Sequence, residues 1–298
     1  MRILILGSEG FIGGHCVSHF MNGKHDVAGA DLYEQPSRDY SYQKISRLSA
    51  ELDELLERQQ FDAIINAAGS GNVPYSMTHP VLDFEANCLD TIRLLDAIRR
   101  HQPNCKYLHV SSAALYGNPS RLPVAEEDNA LPLSPYGWHK LMAEQLCKEY
   151  SNLFGLRTVI ARPFSVYGPG LKKQMFWDLY QKTKAGRSIE LIGTGKESRD
   201  YIHVRDLVRA FESILENSAM DADIYNIASG EEITIEKVVA IFFDALNIRN
   251  GYAFNGQVRK GDPLNWRADV GKLKSLGFTC DIQLKQGLQE LGTWLKSI

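Results

Sequence analysis

The sequence predicts an α/β fold: an open, doubly wound parallel sheet with helices on both faces, and a smaller, discontinuous C-terminal lobe. Three observations carry that expectation. An apolar run at residues 2–6 feeds a turn with three evenly spaced glycines, Gly7-Ser-Glu-Gly10-Phe-Ile-Gly13, which opens a helical stretch over about 14–23. Short apolar runs then alternate with amphipathic helical patterns as far as residue 162, the rhythm of repeated βαβ units. After the loop-like stretch 163–170 (PFSVYGPG) that rhythm breaks, marking the exit from the first domain.

Bulk properties narrow the class. A length of 298 residues suits one large or two ordinary domains, and 44% hydrophobic with 23% charged residues is ordinary for a soluble globular chain. A net charge of −3 gives no electrostatic reason to expect nucleic acid or an anionic membrane as partner. No apolar run reaches the length of a membrane span, and the apolar N-terminus is too short for a signal peptide. The five cysteines (Cys16, Cys88, Cys105, Cys147, Cys280) are scattered, odd in number and form no C-x-x-C, which fits free thiols in a reducing cytoplasm.

Taken in order, residues 2–6 (RILIL) are apolar throughout, as a strand buried on both faces must be. In the turn that follows, glycine permits the tight bend and lets backbone N–H groups approach a diphosphate at a helix N-terminus. The strand at 27–31 ends in Asp31, 18 residues after Gly13, where an acid accepts from adenosine ribose hydroxyls and repels a 2′-phosphate. This favours NAD over NADP, although Arg38 downstream is a potential 2′-phosphate partner. A helix at 50–59 leads to a strand within 61–69 (FDAIINAAG), whose small terminal residues Ala67, Ala68 and Gly69 leave room for a cofactor. Residues 81–100 read as one long amphipathic helix containing Asn87, and 106–111 as a strand delivering Ser111 and Ser112. A helix at 136–153 and a strand at 156–162 complete the first domain. Beyond it lie helical stretches at 172–186, 205–217, 234–247 and 281–297, with strands near 189–192, 223–227 and 252–258. The expected boundaries are 1–165 for the dinucleotide domain, with 198–217 returning to it, and 166–197 plus 218–298 for the lobe.

Candidate chemistry centres on Tyr136, Lys140 and Ser112. Four residues are about one helical turn, so the phenol and the ammonium share a face. A lysine beside a tyrosine favours phenolate and is expected to lower the phenol's pKa, suiting it to acid/base work. Ser112 would complete a three-point grip on a carbinol or carbonyl. Tyr-x-x-x-Lys alone is a common helical coincidence; the glycine turn, Asp31 and Ser112 give it weight. His15 and His19 stand i, i+4 without a third ligand, so no metal is expected. His139 is expected to point off the Tyr136–Lys140 face, at a surface or interface. The acidic run 126–128 reads as a solvated loop.

The ordered motifs Gly7-x-x-Gly-x-x-Gly13, Asp31, Ser111-Ser112-Ala-Ala-Leu-Tyr-Gly117, Tyr136-x-x-x-Lys140 and Arg162-Pro-Phe-Ser-Val-Tyr-Gly-Pro169 resemble those of extended short-chain dehydrogenase/reductases. Within that group they are similar to the NAD-dependent nucleotide-sugar epimerases and dehydratases. Arg199-Asp-Tyr-Ile-His-Val-Arg-Asp206, Tyr225-Asn-Ile-Ala-Ser-Gly230 and Arg259-Lys-Gly-Asp262 extend the likeness over nearly the whole chain. The resemblance implies a Rossmann-type sheet and NAD as cofactor. It implies that the backbone of Gly7, Gly10, Phe11, Ile12 and Gly13 cradles the pyrophosphate. Asp31, Ala67, Ala68, Gly69, Asn87, Ser111 and Pro163 would line the rest of the cofactor site, with Tyr136 and Lys140. Tyr136 would exchange a proton with the sugar 4-hydroxyl, Lys140 would hold the nicotinamide ribose, and Ser112 would bond the same sugar oxygen. Ser112, Ser165, Gln174, Arg199, Arg259 and Asp262 would contact a nucleotide-diphosphate sugar, the arginines through its phosphates. A homodimer through helices 81–100 and 136–153 is also implied.

Departures refine the expectation. Dehydratases of the group carry Asp-Glu where this chain has Ala113 and Ala114, which disfavours 4,6-dehydration. C3/C5-epimerising reductases carry cysteine where Ala113 stands, and Ser165 replaces a common asparagine. The expectation is therefore 4-epimerisation of a nucleotide sugar. The alternatives are an NAD(P)H-dependent 4-ketoreductase making a nucleotide-linked 6-deoxy sugar and a non-catalytic dinucleotide-binding regulator.

Overall fold

The first strand shows why the chain folds in layers. In β1 (Arg2–Leu6), Ile3 and Ile5 enter one apolar core while Leu4 and Leu6 enter another, and all four are fully buried. Alternation along a strand forces this two-sided burial, which stabilises by about 1.5–3 kcal/mol per large aliphatic side chain. The computed structural model describes residues 1–298 except 35, 37, 38, 48, 49, 185–188, 250, 258–260 and 262.

After β1 come α1 (Phe11–Asn22), β2 (Asp26–Asp31), β3 (Ser41–Lys44), α2 (Ala50–Arg58) and β4 (Ala63–Asn66). Then follow α3 (Val73–Thr78), α4 (Pro80–Phe84), a π-helical turn over Glu85–Leu89, α5 (Asp90–His101) and β5 (Lys106–Val110). A 3₁₀ turn over Ala113–Tyr116 precedes α6 (Pro135–Phe154) and β6 (Thr158–Pro163). The remainder holds β7 (Ser165–Tyr167), α7 (Gln174–Lys184), β8 (Ile189–Leu191), β9 (Ser198–His203) and α8 (Val204–Asn217). It closes with β10 (Asp221–Ile227), β11 (Glu232–Thr234), α9 (Ile235–Leu246), β12 (Tyr252–Phe254), α10 (Gly271–Ser275) and α11 (Leu284–Lys296).

Seven strands form one parallel sheet in the order β10-β6-β5-β4-β1-β2-β3. Helices α1 and α8 cover one face, and α2, α5 and α6 the other. The chain reverses its direction of travel across the sheet between β1 and β4. A crevice beyond the carboxyl ends of those two strands is where ligands enter such a sheet.

The second lobe has its own core, built from α7, β8, α9 and α11. A three-stranded sheet, β11-β9-β7, stands beside it. Asp200 on β9, fully buried, ties this sheet to its surroundings. It accepts from the Ser229 amide at 2.9 Å, the Ser229 hydroxyl at 2.7 Å, the Gly230 amide at 3.0 Å and the Ala268 amide at 3.1 Å.

Tertiary pairing altered several sequence expectations. The stretch 163–170, read as a loop, contains β7, because its backbone pairs with β9. Of 198–217, α8 packs on the main sheet while β9 belongs to the small one. Strand β10, expected in the lobe, instead extends the main sheet beside β6. The helix expected over 81–100 is interrupted by the π-helical turn, and α3 was not anticipated. Its signals were present, however: Asn72 caps it by accepting from the Tyr75 amide at 3.0 Å, with proline in its first turn. Among the described residues no helix is long and apolar enough to cross a membrane.

One buried ion pair fastens α6 to the sheet. Arg162 on β6 donates to Glu144 on α6 through Nε at 2.9 Å and a terminal nitrogen at 2.6 Å. Its other terminal nitrogen donates to the Tyr116 hydroxyl at 2.6 Å and the Glu126 carbonyl at 2.9 Å. Glu126 is itself buried and accepts from the Asn226 amide at 2.8 Å, so the acidic run at 126–128 is not simply a solvated loop. Breaking such a pair leaves an uncompensated buried charge. Arg162→Met is expected to cost about 3–5 kcal/mol in urea unfolding. A loss below about 1 kcal/mol would show that the pair does not hold this helix.

Candidate active site

The glycine turn is dictated by contact. Gly7 lies at φ +73°, and a Cβ there would stand 2.8 Å from the Ala68 amide nitrogen. A Cβ on Gly13 would lie 2.0 Å from the Gly7 carbonyl oxygen. Only glycine lets the turn settle this closely against the end of β4 and its own helix. Gly10 caps α1 without a side-chain bond, and no hydrogen bond is made by the amides of Phe11, Ile12 and Gly13 among the described residues. Such orphaned donors at a helix N-terminus suit a diphosphate. Beside them, Asp31 accepts from the Glu9 amide at 2.8 Å and the Leu32 amide at 2.7 Å, which fixes its carboxylate at the end of β2. Arg38, the potential 2′-phosphate partner, lies outside the described residues.

Asn87 sits on the π-helical turn and is buried. Its Nδ2 donates to the Asp83 carbonyl at 3.1 Å, while its Oδ1 has no hydrogen-bond partner. A Cβ on Gly69 (φ +122°) would approach that oxygen to 2.8 Å. Thus the small residues after β4 and the unsatisfied amide of Asn87 face one another. An orphaned acceptor and a glycine-lined turn are what a dinucleotide would occupy, so the residues present fit that cofactor.

Tyr136 and Lys140 stand at the start of α6. Ser134 caps this helix by accepting from the Gly137 amide at 3.2 Å, with Pro135 in its first turn. The Tyr136 amide donates to Ser76 on α3 at 3.1 Å. Ser112 caps the 3₁₀ turn, accepting from the Ala114 amide at 3.1 Å, and its hydroxyl lies close enough to the Tyr136 phenol to favour the phenolate. A Cβ on Gly137 would stand 2.7 Å from the Ala114 carbonyl oxygen, so glycine lets α6 approach the turn that bears Ser112. The Lys140 Nζ donates to the Val110 carbonyl at 2.9 Å and lies 6.0 Å from the centre of the Tyr136 ring. The three side chains therefore converge.

Their electrostatics differ from the sequence expectation. Burial pushes the Tyr136 phenol up to about 12; the Ser112 hydroxyl pulls it down and the Asp83 charge pushes it up. Burial pushes the Lys140 ammonium down to about 8, against the raising influence of Asp83. The expected acidification of Tyr136 by Lys140 does not appear, because desolvation of the phenolate outweighs a cation turned toward a carbonyl.

Other predicted residues are distributed unevenly. The Ser111 hydroxyl donates to Glu144 at 2.5 Å, which turns it into the ion-pair network rather than toward a ligand. Pro163 ends β6, opposite Ile227 of β10. Ser165 opens β7 and pairs in register with Tyr201, while exposed Gln174 opens α7 at φ +66°. Arg199 on β9 donates to the Ser198 and Leu264 carbonyls at 2.7 and 3.2 Å, with its guanidinium 5.6 Å from the Trp266 ring. Among the described residues no hydrogen bond or ion pair joins Ser165 or Gln174 to the Tyr136 trio. Arg259 and Asp262 lie outside the described residues. His15 bonds the Pro169 carbonyl at 2.8 Å and His19 bonds Glu212 at 2.7 Å; no metal-binding cluster occurs among the described residues. His139, expected at a surface or interface, is instead buried within the chain, and its Nδ1 lies 2.6 Å from Oδ2 of Asp83 on α4. Asp83 was missed in the sequence because it lies 56 positions from its partner.

Comparison with known proteins now adds to this geometry. Residues 3–228 match the family model described as the NAD dependent epimerase/dehydratase family. The chain belongs to that family. A Bacillus subtilis relative, the uncharacterized UDP-glucose epimerase YtcB, is 30% identical and aligns with 100% of this chain and 99% of its own. A GDP-6-deoxy-D-mannose reductase of Pseudomonas aeruginosa is 28% identical, covering 97% of this chain and 95% of its own. Among solved structures, MoeE5 in complex with UDP-glucuronic acid and NAD superposes with a TM-score of 0.91 at 30% identity, covering 100% of this chain and 99% of that one.

In an NAD-dependent epimerase/dehydratase the glycine turn has a direct test. Gly13→Ala cannot place its methyl group without moving the Gly7 carbonyl. The variant is expected to weaken NAD(H) binding on the order of 100-fold, read by NADH fluorescence titration on protein shown to be folded by circular dichroism. Binding within about threefold of the parent would mean that this turn is not the cradle.

Proposed function

We propose that this enzyme is a nucleotide-sugar 4-epimerase that works at one carbinol with Tyr136 as acid and base. The observation that carries the reading is the convergence of Ser112, Tyr136 and Lys140 in a buried site whose next two positions, Ala113 and Ala114, offer only methyl groups. One acid/base at one carbon suits oxidation and return at C4. A second acid/base pair, which dehydration would require, is missing at those positions.

The dinucleotide, when bound, supplies a hydride acceptor and donor and a positively charged ring. The chain's own residues supply orientation and the proton. Ser112 steadies the sugar 4-oxygen by a hydrogen bond, and Tyr136 takes the proton of that hydroxyl. After the 4-keto sugar has turned within its site, Tyr136 returns the proton to the oxygen presented on the other face. Burial holds the Tyr136 phenol up, and positive charge beside it would favour the base form. Lys140 contributes an ammonium to the same neighbourhood. Arg199, Arg259, Asp262, Ser165 and Gln174 are assigned to the nucleotide diphosphate and sugar. A UDP-hexose or UDP-hexuronate is the favoured substrate class, by analogy with MoeE5 and YtcB.

A second reading has specific support. Similarity to the GDP-6-deoxy-D-mannose reductase favours a 4-ketoreductase, which would use the same trio in one direction and consume NAD(P)H. A non-catalytic regulator would have no use for the assembled trio.

The chain is further assigned a homodimeric state. Val81, Leu82 and Phe84 on α4 and Trp138 and Met142 on α6 are exposed large apolar residues, Val81 at 68%, which a second copy packed on these helices would cover. Light scattering that returned a monomer at micromolar concentration would overturn this assignment.

The decisive assay offers UDP-, dTDP- and GDP-hexoses, hexuronates and their 4-keto-6-deoxy forms, with product resolution and cofactor absorbance followed together. Epimerised sugar without net cofactor consumption is expected. Stoichiometric oxidation of NADH or NADPH would establish the reductase instead, and binding without turnover the regulator. Tyr136→Phe is expected to lose about 10²–10⁴-fold in turnover while keeping its affinity for NAD. Retained turnover in that variant would sink the mechanism.

A further inference from the structure

Two acidic residues meet where β2 ends. Asp31 closes that strand, and its Oδ2 accepts from the backbone amide of Glu9, inside the glycine turn, at 2.8 Å. The side chain of Glu9 is fixed as well. The Tyr40 hydroxyl lies 2.6 Å from Oε1 of Glu9 and donates to it, because a carboxylate only accepts. The same hydroxyl lies 2.8 Å from Oγ of buried Ser8. One phenol thus grips two neighbouring residues of the turn, while the peptide between them is bonded to Asp31.

Local packing brings Tyr40 to this place. Gly29 lies within β2, flanked by Ile5 of β1 and Tyr42 of β3. A Cβ on Gly29 would stand 2.5 Å from Cε2 of the Tyr40 ring and 2.6 Å from Ser8 Oγ. Glycine inside a strand marks a close approach, and here it opens the slot in which the ring lies against the sheet. The Tyr40 and Tyr42 rings meet edge to face, with centres 5.9 Å apart. Negative charge gathers around Tyr42. Burial pushes its phenol up to about 12, and Asp31, Glu9 and Glu34 push it the same way. Of these three acids, Glu34 is paired with Lys44 on β3.

The adenosine ribose of a dinucleotide lies at this point of such a fold, with its hydroxyls turned to the acid that ends the second strand. NADP differs from NAD by a phosphate on one of those hydroxyls, which carries nearly two negative charges at neutral pH. Asp31 supplies one repelling carboxylate. Glu9 carries another, from the turn rather than the strand, and Tyr40 holds it beside the first.

We propose that Glu9, held by Tyr40, is a second coenzyme-specificity residue that acts with Asp31 to exclude the 2′-phosphate of NADP(H). The proposal rests on the dinucleotide site described above and is independent of which sugar reaction follows. Gly29 admits the ring, and the ring aims the carboxylate.

The test is a pair of fluorescence titrations, with NADH and with NADPH, on the full-length protein without sugar. The unaltered protein is expected to bind NADPH at least about 100-fold more weakly than NADH. Glu9→Gln keeps an oxygen for the Tyr40 hydroxyl but removes the charge, and the NADPH dissociation constant is expected to fall about tenfold. Tyr40→Phe keeps the ring in its slot but releases the carboxylate toward solvent, where it is screened; NADPH is expected to gain about threefold. Tighter NADPH binding is a gain that a merely disturbed turn cannot produce, since distortion weakens both coenzymes. No gain for NADPH in folded Glu9→Gln overturns the proposal, and no gain in Tyr40→Phe does so alone should the first variant not fold. Equal affinity for the two coenzymes in the unaltered protein also overturns it, and would mean that Arg38 prevails over the carboxylates. A protein that binds neither coenzyme loses the dinucleotide site and the proposal with it. One that shows the expected gains yet epimerises no nucleotide sugar keeps the proposal and loses the 4-epimerase reading.

Discussion

The helix that carries Tyr136 and Lys140 is fastened to the sheet by Glu144 on α6 and Arg162 on β6, and the site depends on that buried pair. Arg162 also reaches the Tyr116 hydroxyl and the Glu126 carbonyl; Tyr116 in turn donates to Asn226 on β10 at 2.7 Å. One guanidinium thus orients α6, the 3₁₀ turn after Ser112, the 126–128 segment and the edge strand of the sheet. A buried ion pair adds little net stability over an apolar core of the same shape, yet it is unforgiving of losing one partner. Its value here is geometric. It sets the register in which Ser112 and Tyr136 meet.

Around that anchor, close backbone approach does the rest. Gly7 and Gly13 let the first turn settle against the end of β4, and Gly137 lets α6 lie on the carbonyl of Ala114. These contacts gather a helix N-terminus with free amides, the unsatisfied Asn87 amide and the buried phenol at the carboxyl edge of one sheet. Burial then sets the chemistry in both directions, holding the tyrosine protonated and weakening the lysine's hold on its proton. In the proposed mechanism such a site holds its acid protonated, and positive charge beside the phenol would favour its base form.

Much of this was legible in the residues. The glycine spacing, the all-apolar β1, Asp31 at the end of β2 and the one-turn separation of Tyr136 and Lys140 are local patterns, and local patterns follow from helix and strand periodicity. Even α3 was legible in principle, through Asn72 as a cap and a proline after it. The π-helical turn at Asn87, the pairing of β7 with β9 and the place of β10 beside β6 have no comparable local signal. Each is chosen by a partner far along the chain.

By itself, then, the sequence determined the parallel sheet and the membership of an NAD-dependent family, and it nominated the glycine turn and the trio proposed for the chemistry, because each is written in the spacing of neighbouring residues. Through Ala113 and Ala114 it also carried the proposed argument against dehydration. Only the tertiary structure decided how those groups are charged. Ser111 is drawn into the Glu144 network, Glu126 is buried rather than solvated, and Asp83 and His139 meet from two helices 56 positions apart. Desolvation and pairing are properties of a packed interior, so the acid/base state of Tyr136 and Lys140 came into being only when the helices closed over them.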